Sequence, residues 1–239
     1  FGPDPIEYRI ERGLIDYNEE MAIMIQEVVG KKVGKYFLPG FAGVAFSQNN
    51  YRWSGRLKQE DGLIRLVPGL GTRAVDRLSD DYPVLIAPGQ PNLRANVSAD
   101  EIIKYSPKNI DLIDTEERCF KTIKISDLLE EYGNEYPAVN HIVSMISGNY
   151  LQSIRRIGND FKTNSFAVTF NSLINDTDFI KQIKSTMSVL EHEFDFPVDI
   201  EFAHDGEKLH LLQCRKQSHS KIRKPAEIPV DIQEDRILF

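Results

Sequence analysis

Four polar side chains near the end of the chain have the types and spacing to hold an ion and a phosphate. Asp199 and Glu201 alternate with Val198, Ile200 and Phe202, and Gln213 and Arg215 share one face of the run Leu209-His210-Leu211-Leu212-Gln213-Cys214-Arg215. The turn Asp205-Gly206-Glu207-Lys208 separates the two runs, so the pattern predicts two strands of a hairpin. Mg²⁺ favours carboxylate oxygens plus substrate phosphates, and arginine offers a planar, permanently charged fork for phosphate oxygens. The four groups meet only if the numbers of paired residues sum to an even value, which calls for an odd-length loop. A regular two-residue Asp205-Gly206 turn would send the acids to the opposite face. A three- or five-residue loop, with Gly206 as the site of a bulge, is therefore expected. From these residues alone, a half-exposed hairpin with a charged solvent face stands as the alternative.

The elements that must position this hairpin are legible around it. Asp178 to Phe194 place Phe179, Ile180, Ile183, Met187, Leu190 and Phe194 at near-helical spacing, which predicts an amphipathic helix packed under the hairpin. FAGVAFS, GLIRLVPG and YPVLIAPG read as strands punctuated by glycine and proline. Met21 to Ile25 form a short continuous apolar run, expected to be a buried strand that Gln26, Glu27, Val28 and Val29 then leave. Gly69-Leu70-Gly71-Thr72-Arg73-Ala74 fits a dinucleotide fingerprint only superficially, because no acidic residue follows at about 20 positions. It is read as a glycine turn that brings backbone N–H groups toward phosphates, with Thr72 and Arg73 nearby, or as a plain turn before the short helix TRAVDRL. Arg52, Trp53 and Arg56 read as a solvated loop anchored by its Trp, with a basic aromatic cluster covering a ligand as the alternative, and AVNHIVSMISGNYLQSI reads as helical, with His141 packed on it. No chemistry is apparent between residues 98 and 165.

Composition limits the function classes. The 239 residues are 41% hydrophobic, enough for a real core, and the net charge of −7 supplies no basic field for nucleic acid. Cys119 and Cys214 lack metal-ligand spacing and suit a reducing, cytoplasmic setting. No apolar run approaches the roughly 20 residues that span a bilayer. P-loop, zinc and serine-elbow motifs are missing.

Three blocks in order resemble one family. DIEFAHDGEKLHLLQCRKQS is similar to the acid-x-acid strand and Gln-x-Arg that close the nucleotide-binding region of phosphoenolpyruvate synthases, pyruvate phosphate dikinases and rifampin phosphotransferases. GVAFSQNNYRWSGRLKQEDGLIRLVPGLGTRAVDR and MAIMIQEVVG resemble the same family's earlier segments. Two positions depart from its pattern, Lys216 where proline is usual and Asn49-Asn50 where Asn-Pro is frequent, and both bear on loop geometry.

The resemblance implies an α+β, ATP-grasp fold, here incomplete: mainly the C-terminal lobe, with a mixed or antiparallel sheet and packed helices. It implies residues 1–30 as an interlobe strand and adenine hinge, 31–217 as the lobe, and 218–239 as a linker toward a phosphohistidine domain outside this segment. Gln26, Glu27 and Val28 are then the adenine contacts, and Gly69, Gly71 and Thr72 the phosphate turn. Glu201 and Gln213 hold Mg²⁺, Asp199 supports them, and Arg215 is the catalytic cation. The implied function is the ATP-binding part of a phosphotransferase that passes a phosphoryl group to a histidine and then to pyruvate or a related acceptor. Its partners are ATP and the phosphohistidine and pyruvate-binding domains of a parent chain, without nucleic acid or membrane, and the piece alone is expected to be inactive. A non-catalytic nucleotide sensor or docking module with the same fold is the alternative.

Overall fold

The computed structural model describes residues 3–18, 20, 23–75, 81–154 and 160–217. The linker expected at 218–239 and the end of the TRAVDRL helix lie outside these residues. In chain order the helices are α1 (Pro3–Glu11), α2 (Thr72–Val75), α3 (Ala99–Tyr105), α4 (Ile125–Tyr132), α5 (Val139–Ile142), α6 (Asn171–Asp176) and α7 (Phe179–Phe194). The strands are β1 (Lys31–Val33), β2 (Tyr36–Leu38), β3 (Phe41–Phe46), β4 (Leu63–Pro68), β5 (Val84–Ile86), β6 (Asn109–Asp114), β7 (Cys119–Lys124), β8 (Val143–Ser147), β9 (Tyr150–Ser153), β10 (Phe166–Val168), β11 (Val198–His204) and β12 (Leu209–Lys216).

These strands build three antiparallel sheets, ordered β12-β11-β3-β4-β5, β1-β2-β6-β7 and β10-β8-β9. The protein is thus α+β, and its sheets are antiparallel. Register alone sorts the faces of the five-stranded sheet, because paired residues share a face. Ile200, Ala45, Ile64 and Ile86 lie in one row, and Phe202, Gly43, Leu66 and Val84 in the next. This face belongs to the main core, with Phe41, Phe170, Phe179, Ile183 and Met187. The amphipathic α7 packs under it as the sequence predicts, Phe179 lying 5.8 Å from Phe202 between ring centres. The opposite face carries Glu201, Val44, Arg65 and Leu85 in a row, and there Val44, Val67 and Ala74 form a small second cluster under α2. Gly43 is bare because the ring of Phe202 and the Arg65 carbonyl fill the space a Cβ would need, at 2.9 and 2.2 Å.

Two expectations about local structure fail. Of the run expected as a buried strand, Met21 and Ala22 lie outside the described residues; residues 23–28 are irregular backbone and Ile25 is 94% exposed, so Ile23 to Ile25 form no buried strand. Among the described residues no strand pairs with the segment, and a continuous apolar run cannot by itself show whether a neighbour covers it. AVNHIVSMISGNYLQSI is helical only over α5 and then becomes the β8–β9 hairpin. Gly148, at φ 57°, makes its turn, and the β-branched Val143 and Ile146 suit a strand.

Candidate functional site

The hairpin reaches the expected convergence by a different route. The loop is Asp205–Lys208, four residues, and on the turn side His204 pairs with Leu209 and Phe202 with Leu211. Continued unbroken, that register would set Glu201 opposite Leu212. A bulge between Glu201 and Phe202 absorbs Leu212, and beyond it Glu201 faces Gln213 and Asp199 faces Arg215. The odd loop and the bulge at Gly206 are therefore corrected: the parity change sits mid-strand. Asp205 fixes the even loop, its Oδ1 accepting the N–H groups of Glu207 and Lys208, both at 2.8 Å, and its Oδ2 meeting His210 Nε2 at 2.8 Å. Burial alone would raise the Asp205 carboxyl; these bonds from Lys208, His210 and Glu207 hold it well below the usual range.

Asp199, Glu201, Gln213 and Arg215 consequently share one face. Arg215 Nε donates to Asp199 Oδ1 at 2.7 Å, and its Nη2 stands 3.9 Å from Glu201 Oε1. Arg215 is half-exposed while Asp199 is nearly buried, so the guanidinium caps the acid pair from the solvent side. Gln213 is exposed.

Glu201 lines a cleft of about 720 Å³ together with Val28, Gly71 and Thr72, a size that suits a small-molecule ligand. Gln26 and Glu27 are exposed just before Val28, and Gln26 Nε2 donates to the carbonyl of the bulge residue Leu212 at 3.3 Å. Gly69 is set behind the cleft wall. Its φ of 68° and a missing Cβ that would sit 2.5 Å from the Asp111 carbonyl oxygen let it lie against β6, where Leu70 N–H donates to that same oxygen at 2.9 Å.

Asp111 anchors the whole turn. Its carboxylate accepts from the Thr72 hydroxyl, from Arg73 Nε at 3.0 Å and from the Thr122 hydroxyl at 2.6 Å. Arg73 is buried between Asp111 and Asp81, with Nη1 3.7 Å from Asp81, so its guanidinium faces these carboxylates. The sequence reading assigned no chemistry to residues 98–165, yet the β6–β7 hairpin supplies Ile113, Arg118, Cys119 and Phe120 to the cleft wall. Only the acid and threonine on alternate positions of IDLID and CFKTIK carried a trace of this, and no local pattern distinguishes them from an ordinary half-buried hairpin.

Trp53 Nε1 donates to the Leu93 carbonyl at 3.1 Å and anchors its loop, as expected. Among the described residues no three His, Cys, Asp or Glu side chains gather as a metal cage, and no helix is long and apolar enough to cross a membrane.

An α+β body with an open cleft, and with a carboxylate, an amide and a guanidinium at its rim, has the make-up of a small-molecule-binding domain. The family model described as "Pyruvate phosphate dikinase, AMP/ATP-binding domain" matches residues 1–236, and the chain belongs to that family. It is accordingly an ATP/AMP-binding domain of the pyruvate phosphate dikinase type. No curated protein matches the sequence.

Proposed function

We propose that this chain is an ATP-grasp lobe that holds ATP for a phosphotransferase, with the phosphoryl group passing to a histidine and then to pyruvate or a related acceptor. The observation that carries the reading is the convergence of Glu201, Gln213, Asp199 and Arg215 on the sheet face where Glu201 enters the cleft shared with Val28, Gly71 and Thr72. Adenine rests along residues 26–28, and the triphosphate runs toward Glu201. One carboxylate and one amide oxygen suit Mg²⁺, which keeps much of its coordination for water and phosphate rather than a protein cage. Glu201 and Gln213 would hold it, and bound there it neutralises phosphate charge. Arg215 directs a planar cation at the transferring group, and Asp199 fixes that guanidinium through its 2.7 Å bond. Positioning and electrostatics supply most of the catalysis in such reactions. The domain limits at 30 and 217, the histidine and pyruvate-binding partner domains, and a cytoplasmic setting belong to the same proposal.

A non-catalytic nucleotide module is favoured by one feature, the engagement of Arg215 by Asp199. Titrating ATP with Mg²⁺ while following backbone amide resonances decides where the nucleotide sits. Shifts centred on Val28, Gly71, Thr72 and Glu201 are expected, and Glu201→Gln should abolish the Mg²⁺-dependent part. Shifts confined elsewhere would reject the cleft. Phosphohistidine formation in the longer protein then separates transfer from sensing.

A further inference from the structure

α2 is a wall of two cavities. Thr72 and Val75 face the cleft already described, whereas Ala74 lines a separate cavity of about 450 Å³. That volume lies within the roughly 300–1,000 Å³ of small-molecule sites. Tyr51, Trp53, Tyr82 and Tyr105 contribute aromatic walls, and Arg65 and Arg94 reach the same space. Tyr82 and Tyr105 meet edge-to-face at 5.5 Å, and the bond from Trp53 to Leu93 holds the indole beside the next residue, Arg94.

Among the described residues Arg94 meets no carboxylate in this cavity. Asp81 is its lining acid, but its carboxylate already accepts the N–H groups of Lys108 at 2.9 Å and Asn109 at 2.8 Å and faces Arg73, leaving it 5% exposed. Arg94 is half-buried, and its Nη2 donates to the Thr169 carbonyl at 3.2 Å. Among the described residues it has no carboxylate partner. Burial pushes its guanidinium down from the ordinary value. A desolvated cation bonded only to a neutral carbonyl is costly, and an anion beside it offsets that cost.

We infer that this cavity is a second ligand site, distinct from the nucleotide cleft, for a small planar organic anion: an aromatic ring between the Tyr and Trp walls and a carboxylate or phosphate on Arg94. The site has its own reporter, because Trp53 is the one tryptophan of the sequence.

The test uses the 239-residue chain and Trp53 fluorescence, with phenyl phosphate and benzoate as probes and benzyl alcohol as the uncharged control. Saturable change with a dissociation constant of about 1 mM or tighter is expected for at least one anion, and at least ~10-fold weaker binding for benzyl alcohol. Arg94→Gln should weaken the anion by about 10-fold or more, the scale of one charge-assisted hydrogen bond, and leave the alcohol unchanged. Tyr82→Leu, at a half-exposed ring, should weaken both ligands and serves if Arg94→Gln does not fold. Saturating ATP must leave the Trp53 response in place. No saturable response, equal affinity for anion and alcohol, or displacement by ATP would overturn the site, the last by making the probe another ligand of the cleft. None of these outcomes bears on whether ATP occupies the cleft, which the amide resonances of Val28 and Glu201 report separately.

Discussion

Glu201 stands opposite Gln213, although the register set by the turn would place Leu212 there. One bulged residue thus decides which side chains meet. The same bulge leaves the Leu212 carbonyl outside the regular ladder, where Gln26 donates to it. A single irregularity therefore ties the segment before β1 to the rim of the cleft and aligns the acids with the amide and the guanidinium.

The chain taken alone should bind ATP weakly, with a dissociation constant of about 1 mM, and show no transfer to histidine. An open cleft neither excludes water nor fixes both ends of a triphosphate. Calorimetric titration with ATP and Mg²⁺, together with a phosphohistidine assay, checks both halves. Robust turnover by the 239 residues would refute the assignment.

Asp111 should behave as a structural anchor. Asp111→Ala takes away the carboxylate that the buried Arg73 meets at 3.0 Å and frees the Thr72 turn. A loss of about 3 kcal/mol is expected, the scale for breaking a buried pair from one side. The double replacement Asp111→Leu with Arg73→Met should cost less than the single one, because it removes both charges of the pair while Asp81 keeps the N–H groups of Lys108 and Asn109. Chemical denaturation of wild type, Asp111→Leu, Arg73→Met and the double variant measures this, and a double variant as unstable as the sum of its parts would contradict the coupling.

How far the sequence could be read follows from what each signal depends on. The strands β3, β4 and β5 were legible from the glycine and proline that bound them, and the helix α7 and the hairpin from helical spacing and alternation, all of them local properties. The bulge was not, since Leu211-Leu212 gives two apolar residues in succession and nothing in either side chain says which one leaves the ladder. Ile23 to Ile25 misled because apolar composition reports what a segment would bury, whereas burial depends on a neighbour. The attachment of Thr72 and Arg73 to Asp111 joins residues far apart in sequence, and such a tertiary contact leaves no periodic trace.

His204 should make the fold weaken in mild acid. Burial lowers its pKa first, and the nearby His210 and His141 push it further down against the opposing pull of Asp205. The ring stacks on Phe41 at 4.8 Å, and its Nδ1 accepts the Gly206 N–H at 3.1 Å, a bond that needs the neutral form. With the folded pKa below the unfolded value of about 6.5, the unfolded chain takes up the proton first. The contribution is therefore complete above about pH 6.5 and is lost as pH falls through the folded pKa. Melting temperatures of wild type and His204→Gln should converge between about pH 7 and 5, and a constant difference would show that the ring does not titrate in this window.

Arg215 separates catalysis from structure in the longer protein. If it stabilises charge on the transferring phosphoryl group, Arg215→Ala should lower kcat by about 10²–10³-fold and change ATP affinity much less. Arg215→Lys should recover part of the rate, since it keeps the charge and loses the two-point fork. The stability effect should be small, because the guanidinium is 52% exposed and screened pairs contribute at most about 1 kcal/mol. Asp199→Asn supplies the control: it removes the ion pair and leaves the arginine. A purely structural pair predicts equal falls in melting temperature for Asp199→Asn and Arg215→Ala, with near-normal turnover in both. A catalytic Arg215 predicts that turnover collapses in Arg215→Ala and falls only partly in Asp199→Asn, where the cation remains but is less well aimed. Single-turnover phosphorylation of the acceptor histidine, measured beside the melting temperature, distinguishes the two, and a stable Arg215→Ala protein with wild-type rate would remove Arg215 from the catalytic machinery.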